Sequence, residues 1–380
     1  MNLFLLSTLL AWICSLLLSL HYLCLGNLAK KAKHSEAEND ERPSISIVIT
    51  VHNQEKELRD NLPKILCQDY PAPFEVIVID TNSEDGTEDY LEELEKSHVH
   101  LHHSSCPDTA RDISITRLAI TLGFRSACYE WVLLMAPDTT PQSEHWLDSF
   151  AQSCRDRIDA VQGFVRYGKT HGWNGIRCQF HRLWNQMMWM PWMMRFMPYK
   201  ADASCLAYRK SLFLKHQGFA SSFSLRYGAG ILLVNHNIPQ GRIALCLQPD
   251  SILEQEQPTS RIWKQQRMFY METRRHMRHT FLYRLWYAFS ILVHYLWMGL
   301  GFFTLLYFHP SEYIGYVMVG MWFISQIVSC TSWHLTAHRL DVRSSVLLLP
   351  ILQPMIPLWH ISAWIKWRTE SKNSFRKKFV

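Results

Sequence analysis

Charge is scarce in this sequence. Only 19% of its 380 residues are Asp, Glu, Lys or Arg, against 48% hydrophobic residues that include 15 Trp, 15 Met and 19 Phe. That is too apolar for a plain cytosolic enzyme and too charged for a pure membrane bundle; a soluble domain attached to a bilayer fits. The ten cysteines include no C-x-x-C pair and are scattered through apolar runs, as buried structural thiols in a reducing compartment are. No nucleic-acid-reading motif is present, so the net charge of +6 points to anionic lipid or phosphate instead. A signal peptide would carry positive charge before the first apolar run and a small-residue cleavage site after it; here the positive charges come afterwards, so the run reads as an anchor.

That first run, residues 3–25 (LFLLSTLLAWICSLLLSLHYLCL), is long enough to span a bilayer. Lys30, Lys31 and Lys33 come after it, so the positive-inside rule puts the N-terminus outside and the next domain in the cytosol. Residues 1–27 are read as an anchor and 28–43, which include HSEAENDERP, as a linker. Within 281–335, the runs 286–308 and 312–333 read as two spanning helices joined by HPSE, with Arg274, Arg275, Arg278 and Arg284 before them and Arg339 and Arg343 after. Spans so few, without charge inside them, argue against a transporter. In 336–380, the apolar stretch 345–365 contains Pro350, Pro354 and Pro357 and precedes a basic tail that belongs in the cytosol. A re-entrant or interfacial hairpin is favoured there over a third full span.

Residues 44–280 carry the pattern of an α/β domain. SISIVITV (44–51) and FEVIVID (74–80) are continuous apolar runs, as expected of strands buried on both faces. Helical spacing follows in EKELRDNLPKIL (55–66), after Gly86 in EDYLEELEK, and in ITRLAITLGFRSA (115–127); SHVHLHH and WVLLM are further strands. The alternation implies βαβ units and a mostly parallel sheet. Residues 180–197, FHRLWNQMMWMPWMMRFM, set Arg182 and Arg195 among Met and Trp. They read either as a core helix broken at Pro191 or as an interfacial segment lying against the membrane or lining an acceptor groove.

Parallel sheets bind ligands beyond the carboxyl ends of their strands. Three such ends are Val51-His52-Asn53, Asp80 with TNSEDGT, and VLLMAPDTTP, where the strand gives way to Asp138 between Pro137 and Pro141. The whole block 44–94, with CQDYP and VIDTNSEDGT, resembles the N-terminal half of membrane-bound, largely bacterial family 2 glycosyltransferases of the GT-A fold. LGFRSACYEWVLLMAPDTTPQSEHWL resembles the segment that carries that family's D-x-D motif, and PYKADASCLAYRKSLFLKHQGF its acceptor-side segment.

The resemblance implies a nucleotide-diphospho-sugar donor and a cytosolic catalytic domain at a bacterial inner membrane. The acceptor would be lipid-linked or membrane-proximal, in cell-envelope or polysaccharide synthesis. Val51, Asn53, Asp80 and Asn82 fall at nucleotide-binding positions, although Asp80 could equally cap its turn through Ser83 or Asp85. Asp85 reads as the cap of the next helix. Asp138 falls on the second acid of D-x-D, the direct contact of a divalent cation, Mg²⁺ or Mn²⁺; the first acid is replaced by Ala136. The other reading of Asp138 is a turn residue.

Two departures bear on catalysis. Gly228-Ala229-Gly230 stand where the family places the acids that include its general base, so no catalytic residue is assigned. Asp202, Asp250, Glu254 and Glu256 are the nearby acids, and His236 is a titratable alternative. In WKQQRMFY the family's Q-x-x-R-W keeps Gln265 but has Met268-Phe269 at its end, leaving Arg267 to reach a donor diphosphate or to lie on a helix surface. The alternative to a transferase is therefore a catalytically impaired relative acting as a binding or assembly subunit.

Overall fold

The computed structural model describes residues 2–33, 41–107, 114–307, 313–371 and 374–375. The HPSE turn and residues 34–40 of the expected linker lie outside them. Helix α1 (Asn2–Lys33) continues into the stretch expected to be linker. The α/β domain then runs β1 (Ile45–Val51), α2 (Glu55–Leu66), β2 (Phe74–Asp80), α3 (Thr87–Ser97), β3 (Leu101–Ser105), α4 (Ile115–Ser126) and β4 (Trp131–Met135). It continues β5 (Thr139–Pro141), α5 (Trp146–Ala151), β6 (Ala160–Gly163), β7 (Val165–Tyr167), α6 (Gly172–Arg195), β8 (Cys205–Arg209), α7 (Lys210–Lys215) and α8 (Ala229–Asn237). It closes with β9 (Ile243–Cys246), β10 (Leu253–Gln255) and α9 (Ser260–Thr273), and α10 (Phe281–Tyr307), α11 (Tyr313–Arg339) and α12 (Leu349–Thr369) follow.

Seven strands form one sheet in the order β3-β2-β1-β4-β8-β6-β9, and β5-β10-β7 form a second, small sheet. The first four strands are parallel, while β8 is antiparallel to both its neighbours. Alternate residues of β1 enter different cores. Ile45, Ile47 and Ile49 pack with Leu58, Leu62 and Ile65 of α2, and Val48 packs with Ala119 and Phe124 of α4. This double burial is why β1 and β2 read as unbroken apolar runs. Gly123 permits the α4 contact, since a Cβ there would stand 2.3 Å from a Val48 methyl.

Among the described residues three helical stretches are long and apolar enough to cross a membrane: Thr8–Lys33, Phe281–Phe303 and Val346–Thr369. Helix α11, also expected to span, does not reach that apolarity, because it carries Ser325, Ser329, Ser332 and Thr336, which are buried. Ser329 Oγ meets Ser19 Oγ at 2.5 Å, and Thr336 Oγ1 donates to the Tyr22 carbonyl at 2.7 Å. Small and hydroxylated residues let apolar helices approach and bond each other. At Gly26 a Cβ would lie 3.0 Å from the Thr336 backbone.

Two expectations about prolines fail. Helix α6 is not broken at Pro191; it runs on to Arg195. The carbonyl that Pro191 leaves without its helical donor is that of Met187, and His21 of α1 hydrogen-bonds it. Nor is 345–365 a hairpin: Pro354 and Pro357 sit inside one continuous helix, α12.

Candidate functional site

A cavity of about 640 Å³ opens beyond the carboxyl ends of β1 and β4 and extends between α6, α8 and α9 to His360 of α12. Its walls reflect helical spacing. From α6 come His181, Arg182, Asn185, Gln186 and Trp189, and from α9 come Trp263, Gln266, Arg267 and Tyr270. These polar positions recur at intervals of three and four within the Met/Trp stretch, the signal that could have identified them in advance.

The question raised by VLLMAPDTTP has a topological answer. Strand β4 ends at Met135, and β5, starting at Thr139, belongs to the other sheet, where it pairs with β10. Asp138 sits in the crossing, faces the cavity, and accepts from Gln255 Nε2 on both oxygens at 2.9 Å. Burial raises its carboxyl above the ordinary range, against the Gln255 amide and the Arg182 charge, which lower it. From Gln255 the network continues. Arg182 Nη1 donates to Gln255 Oε1 at 2.5 Å, and Arg182 Nη2 reaches Asp202 Oδ2 at 3.3 Å. Among the described residues no group of three or more His, Cys, Asp and Glu side chains gathers as metal ligands. Asp138 would offer a cation its oxygens once the Gln255 amide turns aside, with phosphate and water completing the shell.

Val51, Asn53, Asp80 and Asn82 come together at the tips of β1 and β2, with Val51 and Asp80 in register. The two loops are stitched to each other: Asn53 Oδ1 accepts from the Glu84 amide at 2.7 Å and Ser83 Oγ from the Asn53 amide at 2.9 Å. Asn53 and Asn82 both take left-handed backbone angles, φ 52 and 59, which asparagine tolerates. Asp80 is 2% exposed and holds the Ser83 amide and hydroxyl, the turn-capping arrangement. Asp85 accepts from the amide and hydroxyl of Thr87 at the start of α3, as expected, and from the Glu55 amide of α2. The cavity itself takes Val48 and Thr50 of β1 and Gln54 rather than those four tip residues.

Three other expectations shift. Gln265 lies on the exposed face of α9, and its neighbour Gln266 faces the cavity instead, because the helix turns about 100° per residue. Arg267 is not a surface arginine; it is 9% exposed and stacks over Trp263 at 4.3 Å. Its charged neighbour is Arg177, and the His181 and His360 imidazoles stand beside it. His236 is no candidate base, since its Nε2 bonds the His276 carbonyl at 2.7 Å outside the cavity wall. Gly228 and Gly230 do line the cavity, at the start of α8, but an acid would not fit there. Gly228 has φ 80 with Thr273 2.3 Å from where its Cβ would be, and a Cβ at Gly230 would approach Ala203 to 3.1 Å. The carboxylates that face the cavity are Glu57, Asp138, Asp202 and Glu256.

Arg117 fixes this wall. It is 1% exposed and donates to the carbonyls of Leu225 (2.8 Å) and Tyr227 (2.9 Å) and to Ser222 Oγ (2.7 Å). Burial lowers its guanidinium to about 10. Burial likewise brings Lys200 down to about 8, and it drives His181 well below its usual range, so that imidazole is neutral at pH 7.

Comparison with known proteins finds similarity over the α/β domain. Residues 46–213 match the glycosyl transferase family 2 sequence profile. A poly-beta-1,6-N-acetyl-D-glucosamine synthase of Staphylococcus epidermidis is 27% identical over 145 residues, 37% of this chain and 31% of the synthase. The match thus spans about a third of that relative's length. Among solved structures, the mannosyltransferase PcManGT of Pyrobaculum calidifontis, in complex with GDP-Man and Mn²⁺, aligns with TM-score 0.48 at 14% identity over 95% of this chain and all of that one. S. aureus TarS 1–349 with UDP-GlcNAc aligns with TM-score 0.44 at 15% identity, over 87% of this chain and 91% of that one. The four parallel strands and the crossing at Asp138 give an α/β, GT-A-like fold over the residues that match the glycosyl transferase family 2 profile.

Proposed function

We propose that the protein is a membrane-bound glycosyltransferase, moving a sugar from a nucleotide-diphospho-sugar to a lipid-linked or membrane-proximal acceptor in cell-envelope or polysaccharide synthesis. The observation that carries this reading is the continuous cavity from the β1 and β4 tips to α12. A donor entering over the strand tips and an acceptor entering past α12 would meet beside Asp138. A divalent cation on Asp138 would neutralise the donor diphosphate. Arg182, already bonded to Gln255 and Asp202, stands ready to take a phosphate oxygen. Gln266 extends the donor-facing polar wall along α9, while Arg267 lies farther along the cavity, toward Trp359 of α12.

The α/β domain is assigned to the cytosol, with α1, α10 and α11 crossing the bilayer. Helix α12 is assigned to the boundary. Its 21 residues measure about 31 Å, yet the chain touches the α/β domain at both ends: Asp341 bonds Arg166 before it, and Trp367 Nε1 donates to Glu272 at 2.8 Å near its end. A crossing helix would carry one end away.

Isothermal calorimetry with UDP- and GDP-sugars, with and without Mn²⁺, tests the donor site; binding of one class, strengthened by Mn²⁺, is expected, and no binding of any donor refutes it. The close fit around Gly228 and Gly230 favours a second reading, an assembly subunit without turnover. Release of UDP or GDP that Asp138→Ala abolishes would exclude that reading.

A further inference from the structure

The cavity has two chemically different ends. Around Asp138, charges and hydrogen bonds are paired. Where α6, α9 and α12 meet, Arg267 and Arg177 have no carboxylate partner among the described residues, and the acid that acts on Lys200, Asp202, is already bridged to Arg182. Arg267 is nine-tenths buried, and its Nε and Nη2 have no acceptor. The Lys200 ammonium lies 4.9 Å from the centre of the Tyr270 ring and 5.8 Å from that of Trp189. The Arg177 guanidinium is 4.3 Å from the centre of Trp263, as is that of Arg267. His181 and His360 stand with ring centres 6.2 Å apart beside them. A buried guanidinium with unused donors is costly unless an anion completes it.

We propose that this end of the cavity binds a phosphate group carried on a lipid, and that the sugar acceptor is a lipid phosphate or diphosphate rather than a neutral growing glycan. The word acceptor rests on the glycosyltransferase reading; the anion site does not. Two free donors on one guanidinium, with an ammonium nearby, suit a tetrahedral oxyanion. A neutral glycan needs open aromatic faces, and here the rings carry cations: Trp263 has two guanidinium groups, Tyr270 has Lys200, and Tyr167 has Arg182 at 4.4 Å. The ligand comes from the lipid because His360 belongs to α12, whose other side leaves Ile351, Leu358, Ile361 and Ile365 exposed. The donor diphosphate is drawn instead to the cation at Asp138.

Calorimetry on the full-length protein in zwitterionic lipid nanodiscs tests this with four probes: farnesyl monophosphate, inorganic phosphate, UDP and chitotetraose. Farnesyl monophosphate is expected to bind at least about 100-fold tighter than inorganic phosphate, and chitotetraose not to bind. Arg267→Gln is expected to weaken farnesyl monophosphate about tenfold or more and to leave UDP within about twofold. Because it removes an unpaired buried charge, Arg267→Gln should melt no lower than the parent without ligand; Lys200→Met provides an independent second variant. Equal affinity for inorganic phosphate overturns the lipid source. Loss of UDP rather than farnesyl monophosphate binding in Arg267→Gln makes this the donor site and overturns the proposal. Failure of the parent to bind any donor refutes the transferase reading alone, since farnesyl monophosphate binding is read separately.

Discussion

At Asp138 both carboxylate oxygens are held by one neutral amide, an arrangement that a cation can displace without breaking an ion pair. Asp138→Asn is therefore expected to fold normally and to lose at least about 100-fold in Mn²⁺-dependent nucleotide release, measured at saturating donor. Lys200 gives a pH signature. Its folded value of about 8 lies below the ordinary 10.5, so the unfolded chain holds the extra proton between those values and stability rises with pH across that window. A bound phosphate raises the Lys200 pKa again. Farnesyl monophosphate binding at pH about 8.5 should then take up protons, seen as a dependence of calorimetric heat on buffer ionisation enthalpy and absent in Lys200→Met. At this scale the sequence is a partial guide. A carboxylate at a strand end announces itself, whereas Lys200 and Arg182 become informative only when burial reveals what surrounds them. The Gln265/Gln266 exchange arose because a motif one residue out of step lands on a different face of a helix.

At the scale of elements, strands β1, β2 and β4 were legible because burial on two faces writes itself as uninterrupted Val, Ile and Leu. Proline misled because its effect depends on partners elsewhere. Helix α6 passes Pro191 with His21 serving the orphaned Met187 carbonyl, a compensation supplied by a residue 166 positions upstream. His21→Ala should cost about 1 kcal/mol in the parent and almost nothing beside Pro191→Ala, which restores the helical donor; a double-mutant cycle on thermal stability reads the coupling. The α1–α11 seam depends on closeness rather than on hydrogen-bond strength. Gly26→Leu is expected to destabilise by about 2 kcal/mol or more, because the Thr336 backbone cannot yield, whereas Thr336→Val should cost less than about 1 kcal/mol.

At the scale of the molecule, the order of an apolar N-terminal helix, an α/β domain and C-terminal apolar helices could be read from the apolar runs. The antiparallel β8 and the small sheet could not, since strands of three to five residues carry too little periodicity. Cys67 and Cys128 are exposed on the α/β domain, so an impermeant maleimide should label both in inside-out vesicles and neither in sealed right-side-out vesicles. Labelling from the opposite side would reverse the assigned topology. Arg117 bears on motion at this scale. Its three bonds to residues 222–227, with the Ser114 amide bonded to the Phe223 carbonyl at 2.8 Å, rivet α4 to a stretch of chain a hundred residues away. Amide protons in α4 and around Leu225–Tyr227 should therefore exchange with deuterium through one shared opening event, and Arg117→Met should split it into two independent rates.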